Sequence, residues 1–303
     1  MEKMKNKGLT LSIIFEAESA NYGEGFGNIS SLKKMSRGDG YSYSYISRQA
    51  LRYNIIEQLR WNNTPVSNAD KVVQFEKDSS IEKYPEIDFF GYMKTGKNSP
   101  NSSSNTRAAT VRLSNAIALE SYNSDLDFLT NMALAKRDNL DNAIAQSEIH
   151  KSYYAYTITI DLDKVGIDEV ILDKKGKDAD KKLVEIEKSE RAKRVKDLLK
   201  ILKTLYRDIR GRRENLSPVF IIGGVYNIKN PFFENRLKVE KNKLIIETIK
   251  DTLNTDNEIK ENTICGLIDS IFSNTEEIRK ELKPKSVAEV IEELCKKVDE
   301  YYA

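Results

Sequence analysis

The sequence predicts a mixed α+β fold, a sheet carrying helices on one face with long insertions between its elements. Two periodicities and their order carry this. Leu9, Leu11, Ile13 and Phe15 alternate with Thr10, Ser12 and Ile14 in the two-residue period of a strand. Leu51, Ile55, Ile56 and Leu59 recur with the helical period, as do Val195, Leu198, Leu199, Leu202, Leu205 and Ile209. The coarse order is strand, helix, strands, long helix, strand, helices, with no internal repeat.

In chain order, the strand over 9–15 runs into 21–28, a loop by its glycines. After a second flexible stretch, 36–40, Ser47 caps a helix reaching about Arg60. Residues 87–93 read as a strand and 96–106 as a Ser/Asn-rich loop too polar to pack. Residues 111–119 resume strand alternation, with Arg112 and Ser114 on the face opposite the apolar one. Residues 125–149 are polar and helix-prone, whereas 153–162 are β-branched and aromatic, the clearest strand in the chain. Residues 179–209 read as one long helix or two, 218–225 as a short buried strand and 237–241 as a hairpin arm. Ser273 with Glu276 and Ser286 with Glu289 form capping boxes, each opening an acidic helix. The last helix buries Val287, Val290, Ile291, Leu294 and Val298. The core that fits this order is ferredoxin-like, or RNA-recognition-like, with 62–142 as an inserted lobe.

Composition bounds the class. At 303 residues, with 39% hydrophobic and 32% charged residues, the chain suits a water-soluble globular protein with one large core. No run approaches the roughly 18 apolar residues of a spanning helix. The basic start, residues 1–8, precedes a short apolar run ending in Glu16-Ala17-Glu18, which does not read as a secretion signal. Cys265 and Cys295 lack metal-ligand spacing and read as reduced core thiols of a cytoplasmic protein. Net charge is only +2, yet its distribution is uneven. Residues 174–213 hold 16 Lys+Arg against 7 Asp+Glu, and 247–303 hold 8 against 14. Residues 91–119 contain Lys94, Lys97, Arg107 and Arg112 and no acid. A cationic groove, and head-to-tail packing of copies, would follow from such separation. For 174–213 an ordinary solvated helix face fits equally well.

Catalysis finds little support, and the expectation is a chain that is not an enzyme and needs no cofactor or metal. The single histidine, His150, rules out a histidine cluster and reads as a surface or boundary residue. Asp161 and Asp163 close a strand and are a possible Mg²⁺ pair, but a solvated strand end is preferred. Asp39 reads as a turn residue between two glycines. The glycine loop Gly23-Glu24-Gly25-Phe26-Gly27 lacks the third glycine of a dinucleotide fingerprint, and no Gly-Lys-Ser or Gly-Lys-Thr follows it.

The stronger pattern is cationic. Arg48 and Arg52, four residues apart, share the helix face opposite Leu51 and Ile55, with Gln49 beside them and Ser47 at the cap. Guanidiniums near a helix N-terminus suit a polyanion. Upstream lie Lys33, Lys34, Arg37 and a tyrosine-rich run, 41–45; cations interleaved with aromatics suit single-stranded nucleic acid. The acid-free 91–119 segment reads as an arm that orders on a polyanion or, equally on composition, as a disordered surface loop.

On Asn21…Glu24-Gly25…Gly27-Asn28, Ser47-Arg48-Gln49-Ala50-Leu51-Arg52, Phe90-Gly91-Tyr92-Met93, the Arg107…Val111…Ser114 stretch and Ile221-Ile222-Gly223-Gly224…Asn230-Pro231-Phe232-Phe233, the chain resembles the DevR-type backbone subunits of type I CRISPR Cascade complexes, subtype I-B, of the RAMP superfamily. The match runs in order over about 9–245. The resemblance implies a hand-shaped molecule: a palm of 1–61 and 143–245, an inserted lobe of 62–142 with a flexible loop at 94–110, and acidic helices over 246–303 packing on the core. It implies copies stacked in a helical filament along a guide RNA, alongside other Cascade subunits, with target DNA read through the guide. On this analogy Arg48, Gln49 and Arg52 clamp phosphates, and Lys33, Lys34, Lys94, Arg107 and Arg112 line the groove. Two alternatives stand beside it: a metal-dependent RNA nuclease of the same superfamily using Asp39 or Asp161 and Asp163, and a regulatory protein-interaction subunit.

Overall fold

The opening strand forms where its alternation places it, as β1 (Gly8–Ala17), near the middle of the largest sheet. The computed structural model describes residues 7–69, 72–94, 105–175 and 178–303. The expected loop at 21–28 is a hairpin, β2 (Tyr22–Phe26) and β3 (Ile29–Leu32), turning at Gly27 with φ 60°. Short strands β4 (Lys34–Ser36) and β5 (Ser42–Ile46) lead to helix α1 (Arg48–Leu59), capped by Ser47 as the sequence predicts. Hairpin β6 (Val66–Ala69) and β7 (Val72–Phe75) follows. The expected strand at 87–93 is instead helix α2 (Pro85–Phe90) and then β8 (Tyr92–Lys94). Pro85 in the first turn, with Glu86 and Asp88, favours a helix start, and Gly91 at φ 74° ends it. Most of the expected loop at 96–106, with Lys97, lies outside the described residues.

Beyond it, β9 (Asn105–Arg107) pairs with β8, and the expected strand at 111–119 divides into β10 (Val111–Leu113) and β11 (Ala116–Ala118). Residues 125–149, expected to be helical, form β12 (Asp125–Thr130), the single turn α3 (Met132–Ala135) and β13 (Ile144–Ile149). Pairing of β13 with β12 and β3 overrides the local propensity. Strand β14 (Ser152–Asp161) matches its sequence signal. The long helix is shorter than predicted: hairpin β15 (Ile167–Lys175) and β16 (Asp178–Glu185) precedes α4 (Lys188–Leu202), and hairpin β17 (Tyr206–Ile209) and β18 (Arg212–Asn215) follows it. Then come β19 (Phe220–Tyr226), the small arm β20 (Val239–Glu240) and β21 (Lys243–Leu244), helices α5 (Glu247–Leu253) and α6 (Asn257–Asn262), β22 (Thr263–Leu267), α7 (Thr275–Leu282) and α8 (Val287–Tyr302). The capping box at Ser286 and Glu289 is present. The one expected at Ser273 is not, because its hydroxyl donates to the Asn242 carbonyl (3.1 Å) and Asn274 takes the cap position.

The main sheet runs β22-β19-β1-β14-β11-β5-β4, with β10 also on β14. Numbered by their place in a βαββαβ unit, β1, β10/β11, β14 and β19 lie side by side in the order 4-1-3-2, all antiparallel, with α1 in the first crossover and α4 in the second. This is the ferredoxin-like core. Part of the 62–142 stretch thus belongs to the sheet, and the C-terminal stretch adds a strand as well as helices.

Alternation sorts the sheet's two faces. Leu9, Leu11, Ile13 and Phe15 pack with Leu51 and Ile55 of α1, Val195, Leu198, Leu199 and Leu202 of α4, and Val290, Ile291, Leu294 and Val298 of α8. On the opposite face Ile14, Phe220 and Ile222 are covered by Phe233, Leu237, Ile249, Phe272 and Ile278. Past that cover the second face turns polar: Thr10 is opposite Thr159, Ser12 opposite Thr157 with their hydroxyls 2.6 Å apart, and Arg112 opposite Thr159. Among the described residues no helix is long and apolar enough to cross a membrane.

Candidate nucleic-acid interface

Helix α1 is anchored at its start by two asparagines that the sequence reading did not single out as cap partners. The Ser47 hydroxyl accepts the Ala50 amide (3.3 Å), while its own hydroxyl and amide donate to Asn21 Oδ1 (3.1 Å each). The Arg48 amide donates to Asn115 Oδ1 at 2.9 Å. The helix start therefore does not offer all its amides to a ligand, as the sequence suggested. Ser47 serves as cap, and side chains carry the site.

Those side chains do converge. Arg48, Gln49 and Arg52 of α1 and Arg112 of β10 rim a cleft of about 420 Å³ whose floor is Phe90, Ala109, Val111 and Leu113. Arg52 lies over the Phe90 ring, 5.6 Å from its centroid. Arg48, Gln49 and Arg52 are exposed, and among the described residues no carboxylate lies within ion-pair distance of either guanidinium. Arg112 is half exposed and donates to Asp161 Oδ2 at 3.1 Å. Three guanidiniums on one apolar-floored cleft, with Glu86 near enough to Arg52 to feel its charge but not to pair with it closely, make a receptor for anionic oxygens.

Arg48 also borders a second groove of about 520 Å³ with Arg37, Ser114, Asn115, Thr157, Asn235 and Lys238. Arg37 rests over the Tyr43 ring at 4.1 Å. Glu234 lines the same groove, where burial pushes its carboxyl above the ordinary range. Asn235 and Lys238 are residues that sequence reasoning missed, since they follow the sheet strands by a long connection and carry no local motif.

Three other expected ligands, Lys34, Lys94 and Arg107, are spent inside the fold. Lys34 Nζ bonds both Glu148 oxygens (2.7 and 2.9 Å) and lies over the Tyr122 ring, while Lys33 is half-buried beside it. Lys94 is buried, donates to the Ser79 carbonyl and sits 4.1 Å from the Tyr92 ring centre; burial lowers its pKa. Arg107 has only 6% of its side chain exposed and pairs with Asp88 (2.6 Å) and Asp168 (3.4 Å). Lys94 and Arg107 thus do not line the groove as expected, because buried acceptors elsewhere in the chain claim them.

The residues considered for catalysis are similarly tied. Asp161 faces Arg112, Lys164 (3.7 Å) and Lys229 (4.0 Å), and Asp163 pairs with Lys229. Cations occupy the donor set a Mg²⁺ ion would need. Asp39 accepts the Tyr41 amide (3.0 Å) and the Tyr43 hydroxyl (2.5 Å), and these bonds hold its carboxyl below the usual range. His150 is buried rather than superficial, its Nδ1 2.7 Å from Ser44 Oγ. Burial pushes the Cys265 thiol up to about 12, so it stays protonated at neutral pH.

The fold is similar to that of a chain in a solved structure described as "CRISPR RNA-guided surveillance complex, pre-nicking". The TM-score is 0.59 at 10% identity, covering 96% of this chain and 100% of that one. A second, described as "CRISPR RNA-guided surveillance complex", aligns with a TM-score of 0.50 at 13% identity, over 86% and 87% of the two chains. No curated protein sequence matches. The model of the family described as "CRISPR-associated negative auto-regulator DevR/Csa2" matches residues 9–247, most of the chain. The chain therefore belongs to the CRISPR-associated DevR/Csa2 family.

Proposed function

We propose that this protein is a non-catalytic backbone subunit of a type I CRISPR interference complex, of subtype I-B and the RAMP superfamily, and that it coats the guide RNA in the cytoplasm. Successive copies line one guide beside other subunits of the complex, and the guide's bases stay free to pair with target DNA. In this reading 1–61 and 143–245 act as the palm, 62–142 as an inserted lobe and 246–303 as a brace. The observation that carries it is the cleft where Arg48, Arg52 and Arg112 meet with Gln49 between them. Guanidiniums bind successive phosphate oxygens and leave base edges unread, so the protein holds RNA of any sequence.

Such binding is largely electrostatic. For a single strand, each phosphate contact contributes about −0.7 to the slope of log affinity against log salt. Three arginines per subunit correspond to a slope of about −2 before other contacts are added. The nuclease reading is less favoured because the acids it requires are ion-paired or hold a turn. The regulatory reading leaves the unpaired arginines without a role.

The test is the nucleic acid that accompanies the protein when purified at low salt, alone and co-expressed with a CRISPR array. Guide-sized RNA, released by high salt, is expected. RNA-free protein under both conditions would refute the coating role.

A further inference from the structure

The Phe90 floor of the cleft, on which Arg52 rests, and the wall that carries Arg112 are tied together by an aspartate that never reaches the cleft. Asp88, in α2, is fully buried. Its Oδ1 accepts Arg107 Nη2 at 2.6 Å and the Gly166 amide at 2.9 Å, and its Oδ2 accepts Arg194 Nη1 at 3.1 Å. Its backbone carbonyl accepts the Thr110 hydroxyl at 2.9 Å and Arg107 Nε at 3.3 Å. The Thr110 amide in turn donates to the Phe89 carbonyl (2.9 Å).

Two residues beyond Asp88 is Phe90, the platform under Arg52. Two residues beyond Thr110 is Arg112 on the opposite wall. The segments are locked with little slack: a Cβ on Gly91 would lie 2.5 Å from the Arg107 carbonyl oxygen and 2.8 Å from the Ala109 nitrogen.

We infer that Asp88 is a positioning residue for the arginine cleft, setting the separation of Arg52 from Arg112 through the Asp88–Arg107–Thr110 clamp. The inference rests on the RNA reading of that cleft. It gives Arg107 a task other than contacting the ligand: its guanidinium is the pin of the clamp. A surface arginine swings freely and adapts to a ligand, whereas a wall held by three hydrogen bonds to one buried residue, itself fixed by Gly166 and Arg194, is preorganised.

The test compares Asp88→Asn and the milder Thr110→Val with Asp168→Asn. Asp168 also holds Arg107, and bonds Tyr92 at 2.8 Å, but among the described residues it bonds neither α2 nor Thr110. Binding of a guide-length single-stranded RNA by the full chain is measured across a salt series beside the melting temperature. Asp88→Asn and Thr110→Val are expected to bind several-fold more weakly and to lose about 0.7 of salt slope for each phosphate contact given up. Asp168→Asn is expected to lower the melting temperature without moving the slope. If Asp88→Asn does not fold, Arg107→Lys, which keeps a cation beside the Asp88 carboxylate but gives up the guanidinium's second bond to Asp88, decides. Unchanged slopes in the folded variants overturn the positioning role while the RNA reading stands. An unaltered protein that binds no RNA overturns both.

Discussion

Lys196 Nζ of α4 lies 2.6 Å from Asp299 Oδ1 of α8. The most basic and the most acidic stretches of the chain therefore meet within one molecule. Lys188, from the same helix, donates to the Ala303 carbonyl at 3.0 Å. Three further cations of the basic stretch, Arg191, Arg194 and Arg207, are buried. Part of the uneven charge is therefore met within one molecule.

The Lys196–Asp299 pair contributes little to holding α8. Lys196→Ala is expected to cost less than about 1 kcal/mol, as for exposed pairs generally. Leu198→Ala or Leu294→Ala, each emptying a fully buried site between sheet and helices, should cost about 2–5 kcal/mol. Urea unfolding of the three variants ranks them, and the reverse order would mean that charge, not apolar burial, docks the C-terminal helix.

Replacing Arg48 and Arg52 together with glutamate should abolish RNA retention at physiological salt and leave the fold intact. Both side chains are exposed, and the Ser47 cap and the Leu51, Ile55 and Ile56 face are untouched. Nucleic-acid content by absorbance and a melting curve measure the two properties. Loss of the thermal transition would show that the arginines are structural.

Asp161→Asn removes the carboxylate that competes for Arg112. Tighter RNA binding is expected, together with a modest loss of stability because Lys164 and Lys229 also lose a neighbour. The same variant tests the nuclease reading. RNA degradation that needs Mg²⁺ and disappears in Asp161→Asn would support cleavage over coating.

His150 makes stability depend on pH in a defined direction. Burial lowers its pKa below the ordinary 6.5. The unfolded chain therefore takes up a proton at higher pH than the folded one does. The stabilisation is complete above about 6.5 and is lost as pH falls through the lower folded value. Unfolding free energy should drop more between pH 7.5 and 5.5 in the unaltered protein than in His150→Gln. Equal drops would mean that other groups set the dependence.

Local signals and long-range pairing divide what was legible. Ser47, Arg48 and Arg52 could be read because a cap and an i,i+4 face are properties of neighbouring residues. The same holds for β1 and α8, read from their periods, and for β14, read from its β-branched and aromatic residues. Lys34, Lys94 and Arg107 looked equally free in the sequence. Whether a cation faces solvent depends on where its acceptor ends up: Glu148 lies 114 residues from Lys34, and Asp88 19 from Arg107. The helix expected over 125–149 failed for a related reason, since its strands are stabilised by pairing with β3, far upstream. Asn115 and Asn21 were invisible as cap partners because an asparagine becomes one only after a strand has delivered it.

The sheet's outer strand β22 comes from beyond residue 247, where the family match ends, and seals β19 by pairing along Phe220–Gly224. On the ribosome, β19 is made some forty residues before its partner. Until then its edge of unpaired backbone N–H and C=O groups lies open to any extended segment nearby. A chain cut after residue 247 would keep that edge exposed and should form insoluble aggregates, even though every arginine of the cleft is retained.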